Sequence, residues 1–299
     1  MSRGPLPFDE LFDPAFLEAV ERLRIVARRV PRGGRPAEQR SDDRGAGIEF
    51  KDYRPYVPGD DLRGVDWNIY RRLGRVFLRQ FEELEDLPVH LLTDVSASLW
   101  LEDPPRARAG LRCALALAAI ALGQHDSVGL FPFSDDLTVA ERPRSGKGRW
   151  MRFAHALAAL SPGGPTDFGR SLRRFEGMRL RSGLVVLISD FFDPAGVPAI
   201  AAAAKRLRHR LLFVQLVRTG DAAPTVDGDV RLVDCETGAT EDVSVTAAVR
   251  QRYRDAYRRF EDGLSGLARS RGAGLLRLDA DGDVAAQLAR LFEAGALAV

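Results

Sequence analysis

From Val89 onward, short apolar runs alternate with helical patterns almost without interruption, and no other feature of the 299-residue chain constrains its fold as strongly. The spacing predicts strands over residues 89–94, 127–133, 137–141, 183–190, 211–217 and 274–278, with a hairpin over 230–243 turning at Thr237-Gly238. Between them it predicts helices over residues 106–124, 149–160, 169–178, 197–208, 246–270 and 284–293. Strands that are apolar on both faces must be covered on both faces. The expected architecture for residues 88–299 is therefore α/β, a doubly wound and mostly parallel sheet between two helical layers.

Residues 1–87 read as a smaller N-terminal α+β segment. Leu11, Phe16, Val20 and Leu23 recur at helical spacing, which predicts one or two helices over residues 8–30, ended by Pro31. Residues 31–47 are rich in Arg, Gly, Pro and Asp with no apolar period, and are expected to form an exposed, mobile loop. Next comes a block dense in aromatics and charges. In it Pro58-Gly59-Asp60-Asp61 predicts a turn that caps a helix over residues 62–72, followed by a strand over 75–81.

Composition narrows the function classes. Hydrophobic residues make up 45% of the chain, enough for a full core, and 44 basic against 42 acidic residues leave a net charge of +2. That near balance gives no field for a polyanion, so no nucleic-acid partner is expected. The two cysteines, Cys113 and Cys235, offer neither a disulfide framework nor a CxxC pair. The N-terminus carries Asp9, Glu10 and Asp13 where an export signal needs basic and then apolar residues. The chain's longest uncharged apolar stretch, 113–123, is shorter than the roughly 20 residues that span a bilayer. A cytoplasmic protein without a membrane partner is the expectation.

The residues that carry chemistry lie where strands end. Asp94 closes a buried strand, and Ser96 and Ser98 follow in the turn after it. Ligands of open α/β sheets bind beyond the carboxyl ends of the strands, so this acid should face a crevice. One carboxylate and two hydroxyls on alternate residues present three hard oxygens, which suit a divalent cation such as Mg²⁺. Two further pieces follow in order. Pro162-Gly163-Gly164-Pro165-Thr166-Asp167 is a glycine-rich loop ahead of a helix, and Ile188-Ser189-Asp190 ends the most apolar strand with a second acid.

Taken together, these segments resemble the metal-ion-dependent adhesion site of von Willebrand factor A domains, whose fold is Rossmann-like. The resemblance implies Mg²⁺ (or Mn²⁺) held by Asp94, Ser96, Ser98, Thr166 and Asp190, with a partner's carboxylate completing the coordination. Asp167, Phe191 and Asp193 are the candidate partner-binding residues beside it, within the loops 134–136, 162–169 and 191–196. A second resemblance covers residues 47–67, which include Phe50-Lys51-Asp52-Tyr53-Arg54-Pro55-Tyr56 and Asp60-Asp61-Leu62-Arg63-Gly64-Val65-Asp66-Trp67. This stretch is similar to the signature of the bacterial family called domain of unknown function 58. Members of that family carry a von Willebrand A-like domain after it, and many are encoded beside MoxR-type AAA+ ATPases. The implied function is a non-enzymatic adaptor for such an ATPase in protein remodelling or activation.

Physically, Phe50, Tyr53, Tyr56 and Trp67 of the signature are expected to pack as core, with Arg54 and Arg63 paired to Asp52, Asp60, Asp61 or Asp66. The other reading is a docking surface, since interfaces favour Tyr, Trp and Arg.

Enzymatic motifs are missing from the sequence. No Gly-x-Ser-x-Gly elbow and no Gly-x-Gly-x-x-Gly fingerprint occurs, and Gly146-Lys147 precedes Gly148 rather than the Ser or Thr of a P-loop. His90, His125, His155 and His209 show no zinc-ligand spacing. No catalytic residue is assigned. The alternative function is a metal-dependent hydrolase in which the Asp94 and Asp190 cluster activates water and Asp167 or Asp193 acts as base.

Overall fold

The computed structural model describes residues 4–27, 48–58, 65–83 and 87–293. Along the first part of the chain run α1 (Phe8–Leu11), α2 (Pro14–Ala27), β1 (Ile48–Pro55), α3 (Trp67–Leu73), β2 (Phe77–Glu83), β3 (Val89–Asp94), α4 (Arg106–Gly123), β4 (Val128–Phe133) and β5 (Glu141–Arg144). Then follow α5 (Trp150–Ala158), α6 (Phe168–Gly177), β6 (Leu184–Ser189), α7 (Gly196–Ala204), β7 (Arg210–Val217) and α8 (Thr219–Ala222). The chain continues with β8 (Gly228–Val233), β9 (Thr240–Val245), α9 (Ala247–Arg271), β10 (Gly274–Asp279) and α10 (Val284–Glu293). Contacts divide the whole into two units, Met1–Gly33 with Leu87–Val299, and Gly34–Asp86.

In the large unit six strands form one sheet in the order β10-β7-β6-β3-β4-β5. All neighbours are parallel except β5, which runs antiparallel to β4. Every residue of β3, β4 and β6 is buried, the polar His90, Thr93, Asp94 and Ser189 among them, as their mostly apolar sequences require. Helices α1, α2, α4, α5 and α10 share one core cluster with one face of the sheet, around Leu91, Leu115, Val186 and Val214. Across the sheet, Phe133, Phe168, Phe175, Leu187, Phe213 and Leu264 build the second core with α6, α7 and α9. This is the doubly wound, von Willebrand factor A-like α/β fold expected. Because β4 lies on one side of β3 and β6 on the other, connections diverge at the end of β3 and open a crevice there.

Two expectations are corrected in this unit. Residues 1–87 were read as one appendage, yet α1 and α2 belong with the sheet. Leu11, Phe12, Phe16, Val20 and Leu23 are buried in the core that surrounds α4. Arg112 of α4 fastens them, donating from Nε to the Leu11 carbonyl at 2.7 Å and stacking its guanidinium 4.9 Å from the Phe16 ring centre. The second correction is local. The short strand expected over 137–141 is β5 at Glu141–Arg144, while Leu137 makes only an isolated bridge to Phe133.

The small unit is a two-stranded antiparallel ribbon, β1 with β2, and the helix α3. That helix starts at Trp67 rather than at residue 62, because Val65 is held in a bridge with Leu78 and Asp66 supplies the cap. Asp66 Oδ1 accepts from the amides of Asn68 (2.9 Å) and Ile69 (3.3 Å), and its Oδ2 accepts from the Tyr53 hydroxyl at 3.2 Å. Trp67 was expected in a core and is 57% exposed, with its ring edge-on to Tyr70 at 6.1 Å. No residue of α3 is buried, so there is no core at that position for the indole to enter. Residues 31–47 and the expected partners Asp60, Asp61 and Arg63 lie outside the described residues, as do the side chains of Phe50, Asp52 and Arg54.

Candidate metal site

Three loops at the carboxyl end of the parallel strands are tied to one another through their backbones. The Gly163 amide donates to the Val95 carbonyl at 2.6 Å, the Ala97 amide to the Gly164 carbonyl at 3.3 Å, and the Asp167 amide to the Ser134 carbonyl at 3.0 Å. Gly163 cannot be replaced without moving its neighbours. A Cβ there would lie 2.4 Å from Ser134 Oγ, well inside van der Waals contact. Glycine thus lets the 162–167 loop press against the end of β3, which brings Thr166 to the edge where Asp94, Ser96 and Ser98 stand.

Asp94 itself is 2% exposed and firmly oriented. Its Oδ1 accepts from the Ser96 amide at 2.8 Å, and its Oδ2 accepts from Ser189 Oγ at 2.5 Å. The hydroxyl oxygens of Ser96 and Ser98 lie 3.1 Å apart. Ser96 and Thr166 are buried, and Ser98 is half-buried. Asp190, also buried, accepts from the Phe192 amide at 3.1 Å and has Arg106 Nη1 at 3.9 Å. The structure therefore brings all five expected ligand residues to one end of the sheet.

Electrostatics at this edge are dominated by acids held away from water. Burial pushes the Asp94 carboxyl above the ordinary carboxylate range against the hydrogen bonds from Ser189 and Ser96, and the charge of Glu236 adds to the rise. Asp190 is raised in the same direction by burial and then by the charge of Asp94. Arg106 is the nearby counter-charge. Burial works against it, but the carboxylates of Glu102 and Asp221, with Asp190 beyond them, outweigh that and hold the guanidinium firmly protonated. Its fork reaches Asp221 at 2.7 and 3.0 Å and Glu102 at 3.0 and 3.2 Å.

The three expected partner-binding residues fare differently. Phe191 is fully buried, stacked 5.4 Å from Phe168 and edge-on to Phe213 at 5.7 Å, so it is core and cannot meet a partner. Its backbone has φ +64, which turns the side chain inward and leaves Phe192 outside at 43% exposure. Asp167 caps α6, accepting from the Arg170 amide at 2.7 Å. Asp193 accepts from the amides of Phe168 (2.9 Å) and Ala195 (2.7 Å), which pins the β6–α7 loop to the start of α6. Both acids stay partly accessible beside the site, but their carboxylates hold loops together.

Sequence reasoning missed Ser189, Arg106 and Glu236. Ser189 sits inside the Ile188-Ser189-Asp190 string and was legible as a polar residue ending an apolar strand. Arg106 and Glu236 meet the site across more than 60 residues of chain and leave no local signal.

The donor set fits a hard divalent cation. Among the described residues no three side chains of the His, Cys, Asp and Glu types gather so as to hold a metal. A cation at this edge would take hydroxyl oxygens from Ser96, Ser98 and Thr166 beside the carboxylates, all of them ligands that Mg²⁺ and Mn²⁺ accept. Two buried acids that repel one another would also gain from a positive charge between the loops.

Residues 52–262 match the family described as "Protein of unknown function DUF58". "Uncharacterized protein Rv1480" of Mycobacterium tuberculosis is 27% identical over 299 residues, spanning 97% of this chain and 93% of its own length. "Uncharacterized protein MAV169" of Mycobacterium avium is 32% identical over 183 residues, or 59% of this chain and 94% of that protein. Among solved structures, the conserved hypothetical protein BatB from Bacteroides thetaiotaomicron aligns with a TM-score of 0.42 and 16% identity, over 71% of this chain and 98% of that one. The manganese-loaded TRAP protein of Plasmodium vivax aligns with a TM-score of 0.32 and 20% identity, over 44% and 57% of the two chains. Since the family match takes in most of the signature ribbon and most of the sheet unit together, the chain belongs to the DUF58 family.

Proposed function

We propose that this chain is a non-enzymatic, metal-dependent protein-binding module, an adaptor for a MoxR-type AAA+ ATPase in protein remodelling or activation. The observation that carries the reading is the buried Asp94 carboxylate, fixed by Ser96 and Ser189 beside a pair of hydroxyls 3.1 Å apart. A bound Mg²⁺ or Mn²⁺ would supply a positive centre that accepts an outside carboxylate. Ser96, Ser98 and Thr166 would hold it as neutral ligands, so the site keeps surplus positive charge for a partner's acid. Asp94 and Asp190 set its position, and the backbone ties between the loops keep the donors in place. The ATPase as partner rests on the family resemblance.

The hydrolase reading loses support at its base. Asp167 and Asp193, the acids expected to activate water, both have carboxylate oxygens engaged by backbone amides. Among the described residues no helix is long and apolar enough to cross a membrane.

The test is calorimetry with Mg²⁺ and Mn²⁺, followed by pull-down with a MoxR-type ATPase. Wild type should bind the cation, and saturation at a hundred times Kd should stabilise the fold by about 2.7 kcal/mol. Asp94→Ala should abolish that binding and weaken the complex, and EDTA should weaken the wild-type complex to the same degree. An affinity indifferent to both would move the interface away from this site.

A further inference from the structure

The β8–β9 hairpin is an unusual neighbour for such a site. Its strands pair with each other and with no further strand among the described residues, and most of their residues are exposed. A lone two-stranded ribbon holds itself weakly in water. Its turn is nevertheless well defined. Asp234 Oδ1 accepts from the amides of Glu236 (2.9 Å) and Thr237 (2.7 Å), the Gly238 amide donates to the Asp234 carbonyl at 2.8 Å, and Gly238 takes the left-handed φ of +71 that the turn requires.

That turn delivers a carboxylate to the edge of the sheet. Glu236 Oε2 accepts from the Thr166 amide at 3.1 Å, and Glu236 Oε1 accepts from Thr166 Oγ1 at 3.2 Å. Thr166 is one of the expected cation ligands, so both oxygens of the Glu236 carboxylate lie against the expected donor set itself. A further acid at this edge adds to the negative charge there, and like charges near low-dielectric surroundings repel. Arg106 does not offset it, since its guanidinium is shared among Glu102, Asp221 and Asp190. A positive charge among Thr166, Asp94 and Glu236 would turn this repulsion into attraction.

We infer that Glu236 is the chain's own carboxylate ligand for the cation site, standing where a partner's acid must stand, so that the hairpin competes with the partner. This rests on reading the Asp94 edge as a cation site. It extends that reading from an open acceptor to a gated one. The cation binds more tightly when Glu236 is in place, and an outside acid binds only by displacing Glu236.

The experiment uses the full chain and Mn²⁺ alone as probe. Titration calorimetry compares wild type with Glu236→Ala and Glu236→Gln, while hydrogen exchange follows the amides of residues 228–245 with and without Mn²⁺. Mutating even the outer partners of metal ligands costs about 10- to 100-fold in affinity. Glu236→Ala should therefore bind Mn²⁺ at least about tenfold more weakly. Acetate should restore part of that affinity in Glu236→Ala but not change wild type. Mn²⁺ should slow exchange across the hairpin in wild type and leave it unchanged in Glu236→Ala. Glu236→Gln, which keeps the side-chain size, should lie nearer to Glu236→Ala than to wild type, which separates loss of charge from loss of hairpin structure. Equal or tighter Mn²⁺ binding by both variants, with hairpin exchange unaffected by the ion, overturns the inference and leaves the cation site standing. Failure of wild type to bind Mn²⁺ overturns both.

Discussion

The two ends of β3 bury opposite chemistries. At its carboxyl end Asp94 lies among hydroxyls, a second acid and an arginine, while near its start His90 is 1% exposed among the rings of Phe131, Phe175 and His209 at 5.1–5.8 Å. Burial pushes both toward their neutral forms. The acid is raised, and the His90 imidazole is lowered to about 4, by burial and then by the charge of His209, against the hydrogen bond between its Nε2 and the Arg181 carbonyl. What differs is the company. Loops that carry oxygen donors surround Asp94, whereas aromatic edges surround His90. A perturbed group marks a functional site only when its neighbours offer a partner for the form that burial disfavours.

The comparison breaks most easily at Arg106. If the carboxyl edge is an ion network, Arg106→Leu takes the guanidinium from Asp190 and Asp221, leaves Glu102 to Arg218, and should cost about 3 to 5 kcal/mol in denaturant unfolding. A loss under about 1 kcal/mol would show that the acids there are already neutral or solvated. His90 tests the other end through pH. Its folded value is depressed, so the unfolded chain binds more protons between pH 6.5 and 4, and stability should fall by about 3 kcal/mol as pH drops through that window. His90→Phe should flatten this slope. Asp94 has the opposite sign, because its folded value is raised: stability is full below the ordinary carboxylate range and is lost as pH rises through the folded value. In metal-free protein Asp94→Asn should therefore remove a falling limb where His90→Phe removes a rising one. Melts of the two variants across pH 4 to 7 that tilt the same way would refute the assignment. The smallest effect belongs to the other unit. With its ring 57% exposed, Trp67→Ala should change stability by no more than about 0.5 kcal/mol, against the 3 to 5 kcal/mol of a buried aromatic.

What the sequence revealed followed from periodicity and order. The apolar run of β6 and the largely apolar β3, interrupted by His90 and Thr93 before Asp94, identified the central strands, and polar residues at their carboxyl ends pointed to the edge where Asp94, Ser96, Ser98, Thr166 and Asp190 lie. Aromatic content proved a poor guide to packing. Trp67 and Phe191 were assigned to core and to surface, and each lies in the opposite place, because a ring's destination depends on backbone direction. Phe191 turns inward through a positive φ, and Trp67 sits on a helix with no buried face. The hairpin was visible as a turn at Thr237-Gly238, but nothing in its own residues indicated that Glu236 would reach Thr166.

The bonds that assemble the carboxyl edge have a kinetic consequence. Asp94 is held by Ser189, Val95 by Gly163, and Thr166 by Glu236, each pair separated by roughly 70 to 95 residues. Contacts this distant close late, after the entropy of the intervening chain has been lost. A nascent or partly folded chain therefore displays strands and helices before it displays the donor set. Under the proposed adaptor function, a partner docking at this edge would meet only molecules whose sheet is already in its final order, and recruitment would double as a check on completed folding.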